Sequence, residues 1–209
     1  MKSQSHCFLK PALLAAAAAA ALGAGLLAQQ PAMPMPMPVA PHTASATPLA
    51  ALVSQRKVSY AAASDFPAAS GTVNLDKAAN RITISSQTAA LTVQTGPEEN
   101  MMSFKIDGLF NPEIVLHRGA RLTLTVVNVD DDMAHSFMLS RQGPPYAASP
   151  AMGAGMVMTP ALAQHAAEKA PFTGLQLVLQ ANQSGQGFYV CAVRGHAKMG
   201  MFGRLSVQP

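Results

Sequence analysis

The sequence has few charged residues, few aromatic residues and no tryptophan. Of its 209 residues, 11% are Asp, Glu, Lys or Arg and 5% are Phe, Trp or Tyr. So low a charged fraction is unusual for a cytosolic enzyme and suits a surface built from Gln, Asn, Ser and Thr. The net charge of +4 includes Lys2 and Lys10, and the other basic residues are scattered, which argues against nucleic-acid binding. The length suits one domain with a substantial core.

The N-terminal 28 residues are typical of an export signal. Lys2 and Lys10 lie in a short polar start, and residues 12–28 follow without a charge. We therefore expect residues 1–28 to be a signal peptide and the protein to be periplasmic. A retained membrane anchor is the alternative, although this alanine-rich run is short for a membrane span.

A linker rich in proline and methionine is predicted next, over residues 29–48. Alternating prolines favour an extended chain with no face that could join a core. Three methionines (Met33, Met35 and Met37) and His42 lie in this stretch. They are candidate Cu(I) ligands, because thioethers are soft, but a plain spacer is the simpler interpretation.

Cysteine is nearly absent, since the chain contains only Cys7 and Cys191. Removal of the signal would remove Cys7, and Cys191 could then form no internal disulfide. An exported protein with one cysteine has a free thiol, an intermolecular bridge or a thiolate bound to something. An exposed free thiol is a liability in an oxidising compartment, which favours a bound thiolate.

Hydrophobic residues alternate with polar ones from residue 72 onwards. The clearest example, RLTLTVVNV (residues 121–129), places Leu122, Leu124 and Val126 on one face. LQLVLQ (residues 175–180) repeats the pattern, and Gly, Asn and Pro separate the runs. These features predict an all-β antiparallel sandwich or barrel.

Two short helices are predicted beside the strands. Thr47-Pro48 offers a helix cap and a first-turn proline before LAALVSQRK (residues 49–57). Thr159-Pro160 offers the same signal before ALAQHAAEK, inside a long irregular region at residues 141–173. Loops of that length in a compact domain are usually functional.

The segment CAVRGHAKMGMFG (residues 191–203) brings together one cysteine, one histidine and two methionines. Structural zinc sites and iron–sulfur clusters require more cysteines, and the chain has no HExxH motif. One cysteine with histidine and methionine is typical of copper bound by two histidines and a cysteine, with a weak axial thioether. The second histidine must come from elsewhere. His135 is favoured because it lies between two predicted strands, whereas His117 and His165 are expected to be exposed.

These residues resemble the copper-binding segments of the cupredoxins, and among them of the rusticyanin family. VCAVRGHAKMGMFGRLSV has the Cys-x4-His-x4-Met spacing followed by Phe-Gly and a closing strand. HSFMLSRQGPPY is similar to the family's upstream His-Ser-Phe and Gly-Pro-Pro-Tyr. The likeness runs over residues 49–209, and sulfocyanins, which share the loop spacing, are the nearest alternative. The chain departs from the family at Arg194, where a proline is usual, and at the acidic Asp130–Asp132.

The resemblance implies a Greek-key β-sandwich, the cupredoxin fold, over residues 49–209 with a short helical N-terminal extension. It implies one type 1 copper with four ligands: His135, Cys191, His196 and, as the axial ligand, Met201. Met199 would be a neighbour of the site. The Ser136 hydroxyl would take part in the hydrogen bonds near the cysteine sulfur, which tune the reduction potential. Separately from the resemblance, Phe137, Phe202, Met133 and Met138 are candidates for an apolar shell around the metal, and ordinary core packing is the alternative interpretation of all four.

The resemblance also implies a high-potential electron carrier, not an enzyme, in a periplasmic chain that oxidises iron or sulfur. A monomer with c-type cytochromes as partners is expected, and Asp130–Asp132 is either a docking patch for a cationic cytochrome or a solvated turn. Thirteen methionines favour a periplasmic copper carrier or sensor as the alternative, and a sulfocyanin-like anchored carrier is another. A copper enzyme is disfavoured, because the chain has no His-x-His pair.

Overall fold

Two β-sheets form the part of the chain that the computed structural model describes, which is residues 49–153, 156–166 and 170–209. The strands are β1 (Ala50–Tyr60), β2 (Val73–Asp76), β3 (Arg81–Ile84), β4 (Thr88–Thr95), β5 (Phe104–Ile106), β6 (Leu109–Phe110), β7 (Glu113–His117), β8 (Arg121–Asn128), β9 (Met138–Ser140), β10 (Val157–Met158), β11 (Phe172–Ala181), β12 (Gly185–Val190) and β13 (Phe202–Gln208). Two single-turn 3-10 helices span Ala63–Asp65 and Glu98–Asn100. The predicted all-β class is confirmed.

The first sheet has the order β1-β11-β8-β4-β5-β6, and the second has the order β10-β9-β12-β13-β7-β3-β2. Most neighbours are antiparallel, but β4 runs parallel to β8, and β7 runs parallel to both β3 and β13. Parallel neighbours require connections that cross between sheets. β9, β12 and β13 are antiparallel neighbours in the second sheet, although β9 precedes β12 by more than forty residues.

The core lies between the sheets and follows the predicted alternation. Leu122, Leu124 and Val126 of β8 are all buried, and Leu124 pairs with Leu177 of β11. The other predicted inward residues of β11, Leu175 and Leu179, are buried as well. An edge-to-face and stacked cluster of Phe104, Phe137 and Tyr189 fills the core beside the second sheet. Successive side chains of a strand point to opposite faces, which is why the period-two pattern predicts this core.

The helix predicted over residues 49–57 is wrong, because these residues belong to strand β1. β1 pairs antiparallel with β11 from Ala50 opposite Ala181 to Tyr60 opposite Phe172, with one bulge between Leu52 and Ser54. The helix-cap signal at Thr47-Pro48 reflects only a local preference for helix. Pairing with the edge of β11 gives the same residues a ladder of backbone hydrogen bonds to a second strand. Tertiary pairing overrides helix propensity here, so the N-terminal extension of the domain is a strand.

The helix predicted after Thr159-Pro160 is also absent over residues 159–166, the described part of that stretch. Leu162 forms a two-way backbone bridge with His135, and Thr159 donates to the carbonyl of Phe137. Residues 167–169 lie outside the described residues. The segment is extended because its backbone groups pair with the chain around His135.

The signal peptide predicted at residues 1–28 and the linker predicted at residues 29–48 lie outside the described residues. Within the described ranges, no helix has the length and apolar character needed to cross a membrane.

Candidate metal centre

The two histidines and the cysteine predicted as ligands lie close together at one end of the second sheet. His135 lies between β8 and β9, Cys191 directly follows β12, and His196 lies in the turns that precede β13. All three residues are buried. Because β9, β12 and β13 are neighbours in the sheet, the segments that carry these side chains emerge together. In the described part of the chain, this trio is the one cluster of three or more potential ligands that are close enough to share a metal ion.

The three donor atoms form a compact triangle. Cys191 Sγ lies 3.9 Å from His135 Nδ1 and 3.5 Å from His196 Nδ1, and the two Nδ1 atoms are 3.2 Å apart. A point equidistant from these corners lies about 2 Å from each, a distance similar to metal–nitrogen bonds in proteins. The donor set, one thiol and two imidazole nitrogens, and its spacing therefore fit a single metal ion.

The two loop methionines occupy opposite environments. Met201 is fully buried, whereas 58% of Met199 is exposed. Met201 is also tied to two members of the cluster, since its amide donates to the His196 carbonyl and its carbonyl accepts from the Cys191 amide. Met199 lies over Gly195 at the surface of the loop. The environment of Met201 is therefore compatible with a ligand role, and that of Met199 suits a neighbour.

Backbone hydrogen bonds give the Cys191–Met201 loop its shape. The His196 amide donates to the Val193 carbonyl, and the His196 carbonyl accepts from the amides of Met199 and Met201. A side chain from outside the loop holds its far end, because Asn111 Nδ2 donates to the Gly200 carbonyl at 3.2 Å. Nothing in the sequence indicates this contact with Asn111.

Ser136 lies beside the cysteine sulfur, as the resemblance implied. Its amide donates to Cys191 Sγ at 3.5 Å, its Oγ lies 3.8 Å from the sulfur, and the same Oγ accepts from the Ala192 amide at 2.8 Å. Burial raises the pKa of the Cys191 thiol, while hydrogen bonds from Ser136 and the Val193 amide oppose that rise. A metal ligand must be a thiolate, so metal binding would displace the thiol proton.

The position of Asp130 differs from the expectation drawn from the sequence. A solvated turn or a docking patch was expected for Asp130–Asp132, and Asp131 and Asp132 are indeed exposed. Asp130 is instead buried, and its Oδ2 lies 2.8 Å from Nε2 of His135, with side-chain exposures of 1% and 0%. The only sign of this contact in the sequence is that Asp130 and His135 are five residues apart, which does not show that the carboxylate points at the imidazole ring.

The electrostatics of this pair follow from burial and hydrogen bonding. Burial alone would raise the pKa of Asp130, but hydrogen bonds from His135 and from the Asp132 and Met133 amides lower it overall. Burial lowers the pKa of His135, and the Asp130 carboxylate only partly offsets this effect. Burial also lowers the pKa of His196, and the neighbouring His135 acts in the same direction. In both imidazoles burial favours the neutral form, which is the form that binds metals.

Of the four residues predicted as an apolar shell, Phe137 and Met138 are fully buried. Phe137 belongs to the same hydrophobic cluster as Cys191 and Met201. Phe202 and Met133 are half-buried, and Phe202 packs against Tyr146.

The remaining histidines of the described chain are not members of the metal-ligand cluster. His117, at the end of β7, and His165 are both half-buried, not exposed as predicted, and His165 stacks on Phe172.

Comparison with known proteins places this chain near the rusticyanins. The chain is 31% identical over 109 residues to rusticyanin from Acidithiobacillus ferrooxidans, an alignment that covers 51% of this chain and 55% of that protein. It therefore spans little more than half the length of this curated relative. No protein-family model matches the chain.

Solved rusticyanin structures share the fold. Rusticyanin from Thiobacillus ferrooxidans superposes with a TM-score of 0.58 at 26% identity, over 66% of this chain and 87% of that chain. A structure described as the copper protein rusticyanin gives a TM-score of 0.56 at 23% identity, over 66% of this chain and 88% of that one. These structural matches confirm the predicted cupredoxin fold. The sequence match confirms the predicted likeness to rusticyanin.

Proposed function

Because this chain is a rusticyanin-like cupredoxin, we propose that it is a type 1 blue copper protein that carries single electrons between redox proteins. The observation that supports the proposal most strongly is the buried triangle of Cys191 Sγ and the Nδ1 atoms of His135 and His196. These three residues would hold the copper as equatorial ligands. Bound copper would supply a Cu(II)/Cu(I) couple that exchanges one electron at a time.

Met201 completes the proposed ligand set as a weak axial thioether. It is fully buried, and its backbone is bonded to both Cys191 and His196. A long thioether bond stabilises Cu(II) poorly relative to Cu(I), which raises the reduction potential. Burial of the ligands acts in the same direction, because a low-dielectric surrounding disfavours the more highly charged oxidised site. We therefore propose that the centre has a high potential.

A role in electron transfer, and not in catalysis, fits this proposed ligand set. Four protein ligands leave no open position for a substrate, whereas metal enzymes that act on substrates keep one. Preformed bonds around Cys191 and His196 would hold the ligands in place as the charge of the site changes. The proposed setting is the periplasm, in a respiratory chain that oxidises iron or sulfur, with c-type cytochromes as partners. The similarity to rusticyanin from Acidithiobacillus ferrooxidans supports this setting.

A periplasmic copper carrier or sensor is the second candidate. The observation in its favour is the exposure of three methionines, Met152, Met158 and Met199, which are 64%, 46% and 58% exposed. Exposed thioethers are soft ligands that could receive or pass on Cu(I). Under this alternative the protein would give up its metal readily.

One experiment separates the two candidates. The protein is loaded with one equivalent of copper and examined by voltammetry, and its copper is then challenged with a Cu(I) chelator. The electron carrier is expected to give a reversible one-electron wave, to exchange electrons with a c-type cytochrome within milliseconds to seconds, and to keep its copper. Sluggish redox cycling together with rapid loss of copper to the chelator would contradict the proposal and favour the carrier or sensor.

A further inference from the structure

The imidazole ring of His135 is engaged at both nitrogens. Nδ1 faces the other two donor atoms of the centre, and Nε2 lies 2.8 Å from Asp130 Oδ2. A carboxylate can only accept hydrogen bonds, so an ionised Asp130 requires the ring proton to be on Nε2. The lone pair of Nδ1 then points at Cys191 and His196, which is the form of the ring that binds a metal.

Asp130 is itself fixed on every side. Its Oδ1 accepts from the amides of Asp132 and Met133 at 2.8 and 2.9 Å. Its own amide donates to Asn128 Oδ1, and its carbonyl accepts from the amide of His165. A buried carboxylate is tolerated only when its oxygens are well bonded. These contacts satisfy that requirement and leave Oδ2 directed at His135.

Gly96 provides the space that the pair occupies. It follows β4 and has a φ of +67°, and an added Cβ would lie 2.4 Å from His135 Nε2 and 2.6 Å from Asp130 Oδ2. A side chain here would be driven between the two hydrogen-bonded groups. Glycine is therefore required both by the backbone conformation and by the close approach of the pair.

His196 has no equivalent support among the described residues. Its side chain contacts Cys191 and His135, in both cases through Nδ1. The two histidines of the centre are thus unequal, because only His135 has an anionic hydrogen-bond partner.

We propose that Asp130 is a positioning residue that acts on the metal through His135. It fixes the proton of the ring on Nε2, orients Nδ1 towards the metal and adds a negative charge next to the centre. A carboxylate partner raises the basicity of a ligating imidazole, which favours the more highly charged metal ion. The centre therefore binds divalent ions more tightly, and has a lower reduction potential, than it would with a neutral partner of the same shape. This inference rests on the proposed copper function.

The test compares Asp130→Asn with Asp131→Asn in the full chain. Asparagine has nearly the shape of aspartate but lacks its charge, and Asp131 is an exposed neighbour that controls for the general loss of one negative charge. Zn(II) affinity is measured by competition with a chelator, and the reduction potential is measured on the copper-loaded proteins. Asp130→Asn is expected to weaken Zn(II) binding about 10- to 100-fold and to raise the potential. Asp131→Asn is expected to match the wild type in both.

The outcome that overturns the inference is an Asp130→Asn protein that equals Asp131→Asn in Zn(II) affinity and in potential. A second measurement needs no variant, because nitrogen-15 NMR of the Zn(II)-loaded wild type reports which ring nitrogen of His135 carries the proton. A proton on Nε2 is expected, and a proton on Nδ1 would refute the assignment. The zinc measurements are independent of copper chemistry. A wild type that fails to form a blue copper centre would therefore contradict the proposed function while leaving this inference testable.

Discussion

The two histidines of the centre reach the same small triangle by different means. His135 is held by long-range partners, since its backbone bridges to Leu162, its ring bonds to Asp130 and Gly96 packs against that pair. His196 is held by the backbone of its own loop. The difference indicates that the His135 side depends on contacts between residues far apart in the chain. The His196 side depends mainly on hydrogen bonds within the Cys191–Met201 loop, which Ala148 and Asn111 support from outside. Substitutions on either side, and acid acting on both, test this difference.

Gly96→Ala is expected to have the largest effect, because it disrupts the long-range support of His135. The new methyl group would lie 2.4 Å from His135 Nε2 in a backbone conformation with φ of +67°. Strain and overpacking together are expected to lower the free energy of unfolding by about 2–5 kcal/mol, measured by urea denaturation of the metal-free protein.

Gly108→Ala is the matched control for that change. Gly108 has a φ of +80°, but an added Cβ there meets nothing within 4 Å. It should show the backbone strain alone, about 1 kcal/mol. Equal losses for the two variants would mean that the space beside the Asp130–His135 pair is not critical.

Acid is expected to act on both histidines, because both are buried. The pKa of each is lowered from its ordinary value of 6.5, so the unfolded chain binds protons at a higher pH than the folded chain does. The metal-free protein should therefore be most stable above pH 6.5 and lose stability as the pH falls below it. Bound metal competes with protons for the imidazoles, so the loaded protein should keep its stability to lower pH. Unfolding midpoints between pH 7 and pH 4 check this, and a flat profile for the metal-free protein would contradict it.

Asn111→Asp tests the loop side. This change keeps the oxygen that accepts from the Phe104 amide and removes the amide group that donates to the Gly200 carbonyl. Loss of one hydrogen bond is expected to cost about 0.5–1.5 kcal/mol, and faster hydrogen exchange should be confined to the Cys191–Met201 loop. Equal acceleration around His135 would show that the two sides are not independent.

Met201→Leu should have the smallest effect on stability, because exchange of buried Met for Leu usually costs less than about 1.5 kcal/mol. We expect the blue colour to persist and the reduction potential to rise as the weak axial ligand is lost. Met199→Leu, at the exposed position of the same loop, is the control and should leave the potential unchanged. A larger shift for Met199→Leu would refute the assignment of Met201.

The loop that carries Cys191 and His196, and the alternating strands of the core, could be predicted from the sequence. Spacing within residues 191–203 indicates a loop with a thiol, an imidazole and a thioether, and the alternation in β8 and β11 predicts the core. Both signals depend on near neighbours in the chain. Strand β1 was mistaken for a helix because its pairing partner, β11, lies more than a hundred residues away.

The contacts that support His135 could not be predicted, because they also join residues that no local pattern relates. The contact between Asp130 and His135 depends on a turn after β8, and that turn is stabilised by Asn128 and by the amide of His165. Gly96 comes from the end of a different strand. No periodicity or motif relates these positions, so an acidic run near a strand end was interpreted as a solvated turn.

The central claim, that Cys191 binds copper as a thiolate in this centre, is tested most directly by a Cu(II) titration followed by absorption and electron paramagnetic resonance. The wild type is expected to bind one equivalent and to develop an intense blue colour with a narrow copper hyperfine splitting. Cys191→Ser should remain colourless and lose that splitting under the same conditions. A blue Cys191→Ser protein, or a wild type that binds Cu(II) without colour, would contradict the account.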